Sequence, residues 1–73
     1  MITSEQIKQW IKAASPDANV EVMGDDGVHF EAIVVSPAFE GKSKLLQHRM
    51  VYDALGDKMK ADIHALSIKT SHI

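Results

Sequence analysis

Hydrophobic positions along the chain follow two alternating periods, and each change of period predicts a new element. In "ITSEQIKQWIKAASP", Ile7, Trp10, Ile11 and Ala14 recur at i, i+3, i+4 and i+7, the spacing of one helical stripe turned to a core. Thr3 followed by Gln6 fits a capping box, and Ile2 with Ile7 has the spacing of a hydrophobic staple, so the helix start is specified twice. Pro16 stops the pattern, and Trp10 is assigned to the core. Period two then takes over. Val20 and Val22 share one face of a short strand. In the longer strand that follows, Val28, Phe30, Ala32 and Val34 form the apolar face, leaving His29, Glu31, Ile33 and Val35 on the wetter one. "GDDG" between the two strands supplies a hairpin turn, because glycine and aspartate tolerate the positive φ values such turns demand.

Pro37 closes the second strand, and "FEGK" makes a tight connection. Helical spacing returns after Ser43, a good N-cap, across "SKLLQHRMVYDALGDKM". Leu45, His48, Val51, Tyr52, Leu55 and Met59 fall on one broad stripe there, and Gly56 weakens the last turns. A single histidine in such a stripe reads as a core residue hydrogen-bonded at one ring nitrogen before it reads as a ligand. The last element is the strand "IHALSIKT", in which Leu66 and Ile68 alternate with Ser67 and Lys69.

The order is α-β-β-α-β, an α+β class. If the second and third strands are neighbours, a helix between them makes a right-handed crossover with parallel strands, and their beginnings lie together. His29 and His64 are each the second residue of a predicted strand, so two imidazoles distant in sequence meet at one edge of the sheet. Parity opposes a shared side, because His64 alternates with Leu66 while His29 alternates away from Phe30. Two roles therefore stay open for His64, a buried ring with one hydrogen bond or a ring presented to a ligand.

Composition narrows the possibilities. With 73 residues, 45% of them hydrophobic and 25% charged, a single folded domain spanning residues 1–73 with a small core is expected. No apolar run reaches the ~18 residues of a membrane helix, and "MITSEQIKQW" lacks the basic and apolar regions of a signal peptide, so no membrane association and a cytoplasmic address are expected. Cysteine is absent, which excludes disulfides, thiolate catalysis and an iron–sulfur site built from this chain's own sulfur. The net charge of −2 hides an asymmetry: residues 1–40 carry two lysines and seven carboxylates, residues 41–73 six basic and three acidic groups. A basic second half favours an anionic partner, although solvated surfaces also carry such an excess. No nucleophile elbow or phosphate-binding glycine loop occurs, so no enzymatic activity is expected. "GDDG" matches a GxxG string, but its two carboxylates would repel the phosphates such a loop grips.

"GVHF" leading into a strand, then "FEGKSKLLQHRMVYDAL", then "IHALSIK" together resemble the signature segments of the BolA-like family. The likeness runs from Gly24 to Lys69 and is densest at Phe39, Gly41, His48, Arg49 and Val51. The compact "GDDGVHF" and the ending "HALSIKT" look more like the IbaG-type bacterial branch than the morphogene branch. This resemblance implies a fold similar to type II KH domains, with a three-stranded mixed sheet covered on one face by helices. Related sequences usually continue into a further helix after the last strand, which is expected to be short or absent here.

Family members are known as partners of monothiol glutaredoxins, with which they form a heterodimer bridged by a [2Fe–2S] cluster. Carried over residue by residue, the resemblance implies His64 of the "HA" segment as one ligand and His29 as the candidate for the second, with His72 a weaker competitor. Glutaredoxin and glutathione would supply thiolates to one iron and imidazoles would hold the other, a ligand set of Rieske-like character. No cofactor is expected in the isolated chain, which should be a monomer or weak homodimer. Because imidazole must be neutral to coordinate, a cluster held this way should weaken below about pH 6.

A second reading is a nucleic-acid-binding regulator, since some BolA-like proteins are linked to transcription control. Lys42, Lys44, Arg49, Lys58, Lys60 and Lys69 would then contact the phosphates of DNA or RNA if they converge on one face. With four aromatic residues, at least two of them assigned to the core, little is left for base stacking. A scaffold that uses the glutaredoxin interface without metal is the third.

Overall fold

The computed structural model describes residues 2–24, 26, 28–61, 63 and 65–72. The first helix, α1 (Ser4–Ala14), starts as its capping box specifies. The Thr3 hydroxyl accepts the Gln6 N–H at 3.2 Å, and the Gln6 side-chain oxygen accepts the Thr3 N–H at 2.9 Å. Ile7 and Ile11 are the buried positions of its stripe. Ala14 is exposed, and Trp10 is only half-buried against the core, with the Lys58 ammonium 5.0 Å from its ring centroid. A tryptophan at the margin of the stripe thus keeps one face for a cation. Lys12 closes the other end of α1, donating to the Pro16 and Ala18 carbonyls at 3.3 and 2.9 Å, where a cation also complements the helix dipole.

Two strands follow, β1 (Asn19–Met23) and β2 (His29–Val35), paired antiparallel from Asn19↔Val35 to Met23↔Glu31. The last strand, β3 (Ala65–Ser71), pairs parallel with β2 from His29↔Ala65 to Val35↔Ser71, giving a mixed sheet of order β1-β2-β3. The expected crossover is present, with α2 (Lys44–Leu55) and the single-turn α3 (Lys58–Ala61) between β2 and β3. Phe30, Ala32 and Val34 of β2, Val20 of β1 and Ile68 of β3 face the helices and join Ile7, Ile11, Val51 and Leu55 in one core. Glu21, Met23, His29, Ser67 and Lys69 are exposed and Glu31, Ile33 and Val35 half-buried on the opposite, uncovered face. Val28 departs from its expected place in the core: it precedes β2 and is exposed, because its N–H and that of His29 are both turned onto the Asp26 side chain.

The crossover helix differs most from its sequence pattern. Ser43 caps α2 as expected, accepting the Leu46 N–H at 3.2 Å. Gly56 ends α2 rather than weakening it. At φ +54° it adopts a left-handed backbone, donates its N–H to the Tyr52 carbonyl, and Lys58 starts a new helix. The inward positions of α2 are Gln47, Val51 and Leu55, whereas Leu45 is 72% exposed, Tyr52 is exposed and His48 is half-buried with no side-chain hydrogen bond among the described residues. The helix is rotated from the expected stripe because the Gln47 amide has partners inside. It donates to the Lys42 and Phe39 carbonyls at 2.8 and 3.4 Å and accepts the Thr70 hydroxyl at 2.7 Å, tying α2 to β3.

Candidate functional site

The parallel pairing of β2 and β3 brings two chain segments remote in sequence to one end of the sheet. His29 is the first residue of β2 and lies opposite Ala65, the first of β3, whose N–H donates to the Val28 carbonyl at 3.2 Å. The residue before Ala65 is His64, which lies outside the described residues, as does the side that its ring takes. His72 follows the far end of β3, about 23 Å from Ala65 along the chain at ~3.3 Å per residue. His29 sits on the uncovered face, as period two predicts, with its side chain 75% exposed.

A local motif holds that ring. One oxygen of the Asp26 carboxylate accepts the Val28 and His29 N–H groups, each at 2.8 Å, and the other lies 2.9 Å from His29 Nδ1. Aspartate at the start of a turn commonly gathers the next backbone donors in this way. These hydrogen bonds, that from the His29 ring foremost, hold the Asp26 carboxyl well below the usual carboxylate range, so it is an anion throughout neutral pH. Since an ionised carboxylate only accepts, Nδ1 must carry the ring proton. In the neutral ring Nε2 then carries the lone pair, and it has no hydrogen-bond partner among the described residues.

Around it, Met23, Gly24, Phe30, Glu31 and Ser67 line an open depression of about 290 Å³ together with His29. One step further along the sheet, Lys69 reaches Glu31 at 3.8 Å across the same face. A larger hollow of about 560 Å³ lies between the end of α1 and the Ser36–Ala38 turn, but among its described lining residues Asp17 alone is ionisable. No group of three or more metal-ligating side chains occurs among the described residues, so a metal held here would need donors from outside them. The His29 imidazole fits a partner-borne metal in chemical kind: an exposed ring nitrogen whose other nitrogen is fixed by a carboxylate. Asp26 was legible in the sequence only as a turn residue; the signal for its second role is the Asp-x-x-His spacing of "DGVH".

Among the described residues the basic side chains do not gather in one place. Lys42 precedes α2 and Arg49 lies on it, both exposed, while the Lys44 ammonium donates to the Thr70 carbonyl of β3. Lys58 stands over Trp10, Lys69 lies on the uncovered sheet face, and the Lys60 side chain lies outside what the structure describes. Among the described residues no helix is long and apolar enough to cross a membrane.

The whole chain resembles proteins with this architecture. A solved bolA protein homologue from Coxiella burnetii superposes with a TM-score of 0.90 at 51% identity, covering 99% of this chain and 92% of that one. Protein BOLA2 of Arabidopsis thaliana is 46% identical over 72 residues, 94% of this chain and 76% of the relative. The DNA-binding transcriptional regulator BolA of Escherichia coli is 29% identical over 79 residues, covering 96% and 75%. SufE-like protein 1 of Arabidopsis thaliana is 54% identical over 46 residues, but this chain spans only 12% of its length. A family model for BolA-like protein matches residues 5–72. With that match extending from α1 through β3, the chain belongs to the BolA-like family.

Proposed function

We propose that this protein is a non-enzymatic, cytoplasmic partner of a monothiol glutaredoxin, sharing with it and with glutathione a bridging [2Fe–2S] cluster, in iron–sulfur trafficking or iron and stress regulation. His64 and His29 are the residues that would hold one iron. The observation that carries this reading is the exposed His29 ring at the shared beginning of β2 and β3, anchored at Nδ1 and open at Nε2. The cluster would supply electron storage and a transferable iron–sulfur unit; the chain's part is to present imidazole donors and to dock the partner. Because the chain lacks cysteine, every thiolate must come from the partner side. The test is co-expression with a monothiol glutaredoxin followed by visible absorption of the purified complex. His64→Ala is expected to abolish the cluster bands and His29→Ala to diminish or shift them. An unaltered spectrum in His64→Ala excludes that residue.

A second reading, nucleic-acid binding, draws on the Escherichia coli relative, whose name describes a DNA-binding transcriptional regulator. Under it, Lys42, Lys44, Arg49, Lys58, Lys60 and Lys69 contact phosphates, and neutralising Lys42 and Arg49 together should reduce the slope of log affinity against log salt by about 2. Absence of binding to duplex or single-stranded DNA or RNA at low salt removes this reading.

A further inference from the structure

Asp26 does more than shape a turn. We propose that Asp26 is a positioning residue that fixes His29 in the Nδ1–H tautomer, so that Nε2 is the atom offered to a metal; this rests on the glutaredoxin-partner reading above. Three distances carry it. The same carboxylate that takes the Val28 and His29 backbone N–H groups at 2.8 Å lies 2.9 Å from the ring Nδ1, so the backbone and the ring are oriented by one anchor. With the side chain 75% exposed, no packing would otherwise select among the imidazole's rotamers or between its two tautomers. A free imidazole pays for both choices when it coordinates, whereas a ring already held at Nδ1 with Nε2 bare has made them beforehand. The anchor also rests on the backbone that begins β2, where His29 pairs with Ala65, so its position is tied to the sheet and not to a free loop.

Asp26→Asn separates this role from turn formation. The amide oxygen can still accept the Val28 and His29 N–H groups, but its NH₂ then faces Nδ1, which must become an acceptor, and the ring proton moves to Nε2. Long-range ¹H–¹⁵N correlation on the isolated chain at pH 8 reads the tautomer directly and needs no cluster. The wild type is expected to show a protonated Nδ1 and a bare Nε2, Asp26→Asn the reverse, and Asp26→Ala a mixture, with amide spectra that keep the folded dispersion in both variants. In the co-purified complex, iron release to a chelator should then be about 10–100-fold faster in Asp26→Asn. A wild-type ring protonated at Nε2 overturns this proposal alone. So does an inverted tautomer that leaves iron release unchanged while His29→Ala accelerates it. Release unaffected by His29→Ala overturns the His29 ligand assignment and this proposal with it.

Discussion

Gly24→Ala is expected to lower the free energy of unfolding by about 3 kcal/mol, a combination of backbone strain and overpacking each costing roughly 1–3 kcal/mol. Gly24 follows β1 with φ +153°, and a Cβ there would stand 2.6 Å from the His29 carbonyl oxygen and 2.7 Å from Phe30 Cδ1. Neither neighbour yields easily: the carbonyl belongs to the backbone at the start of β2, and the Phe30 ring is part of the core. At ~0.05–0.15 kcal/mol per residue, a chain of 73 residues has roughly 4–11 kcal/mol in all, so the loss is a large fraction of the total. The midpoint of thermal unfolding should fall by about 12–24 °C, and the urea midpoint should fall with an unchanged slope. A loss below about 0.5 kcal/mol would mean that the start of β2 can move aside without cost. Since the group pushed is the His29 carbonyl, the same substitution should disturb the candidate site even where the protein remains folded.

Gln47→Leu is expected to cost about 2–4 kcal/mol although it nearly preserves volume. The substitution leaves the Lys42 carbonyl and the Thr70 hydroxyl without the amide that joins them, and a buried polar group deprived of its partner costs about 1–3 kcal/mol. The Phe39 carbonyl is less affected, because it also accepts the Lys42 N–H at 3.1 Å. Thr70→Val removes the stranded hydroxyl, so the double variant Gln47→Leu with Thr70→Val should recover about 1–2 kcal/mol relative to additivity. Equilibrium unfolding of the two single variants and the double variant completes the cycle. Strict additivity would show that the amide and the hydroxyl act independently despite their 2.7 Å contact.

These two residues mark where the sequence is legible and where it is not. Features governed by a few neighbouring residues were readable: the Thr3–Gln6 capping box, the Ser43 cap, the alternation of Phe30, Ala32 and Val34, and through them the crossover that sets β2 beside β3. Gln47 was passed over because an amide counts as polar in any periodicity, and only the fold brings two carbonyls and a hydroxyl to it. The resulting rotation of α2 is why Leu45 and Tyr52 lie outside although the stripe placed them inside. The site divides in the same way. That His29 lies on the wetter face near the start of a strand beside the third strand followed from alternation and topology, although β2 begins one residue later than expected, whereas the Asp26 contact depends on how a turn folds back on its own side chain.

The Lys44 ammonium on the Thr70 carbonyl bears on how another protein can approach. β3 is an edge of the described sheet, and an edge strand with free carbonyls is a template onto which a second chain can add a strand. Here a charged side chain from the crossover helix occupies one of those acceptors, at the end of β3 remote from His29. Growth of the sheet past that point requires stripping the lysine away. That end of the β3 edge is thereby guarded against strand addition.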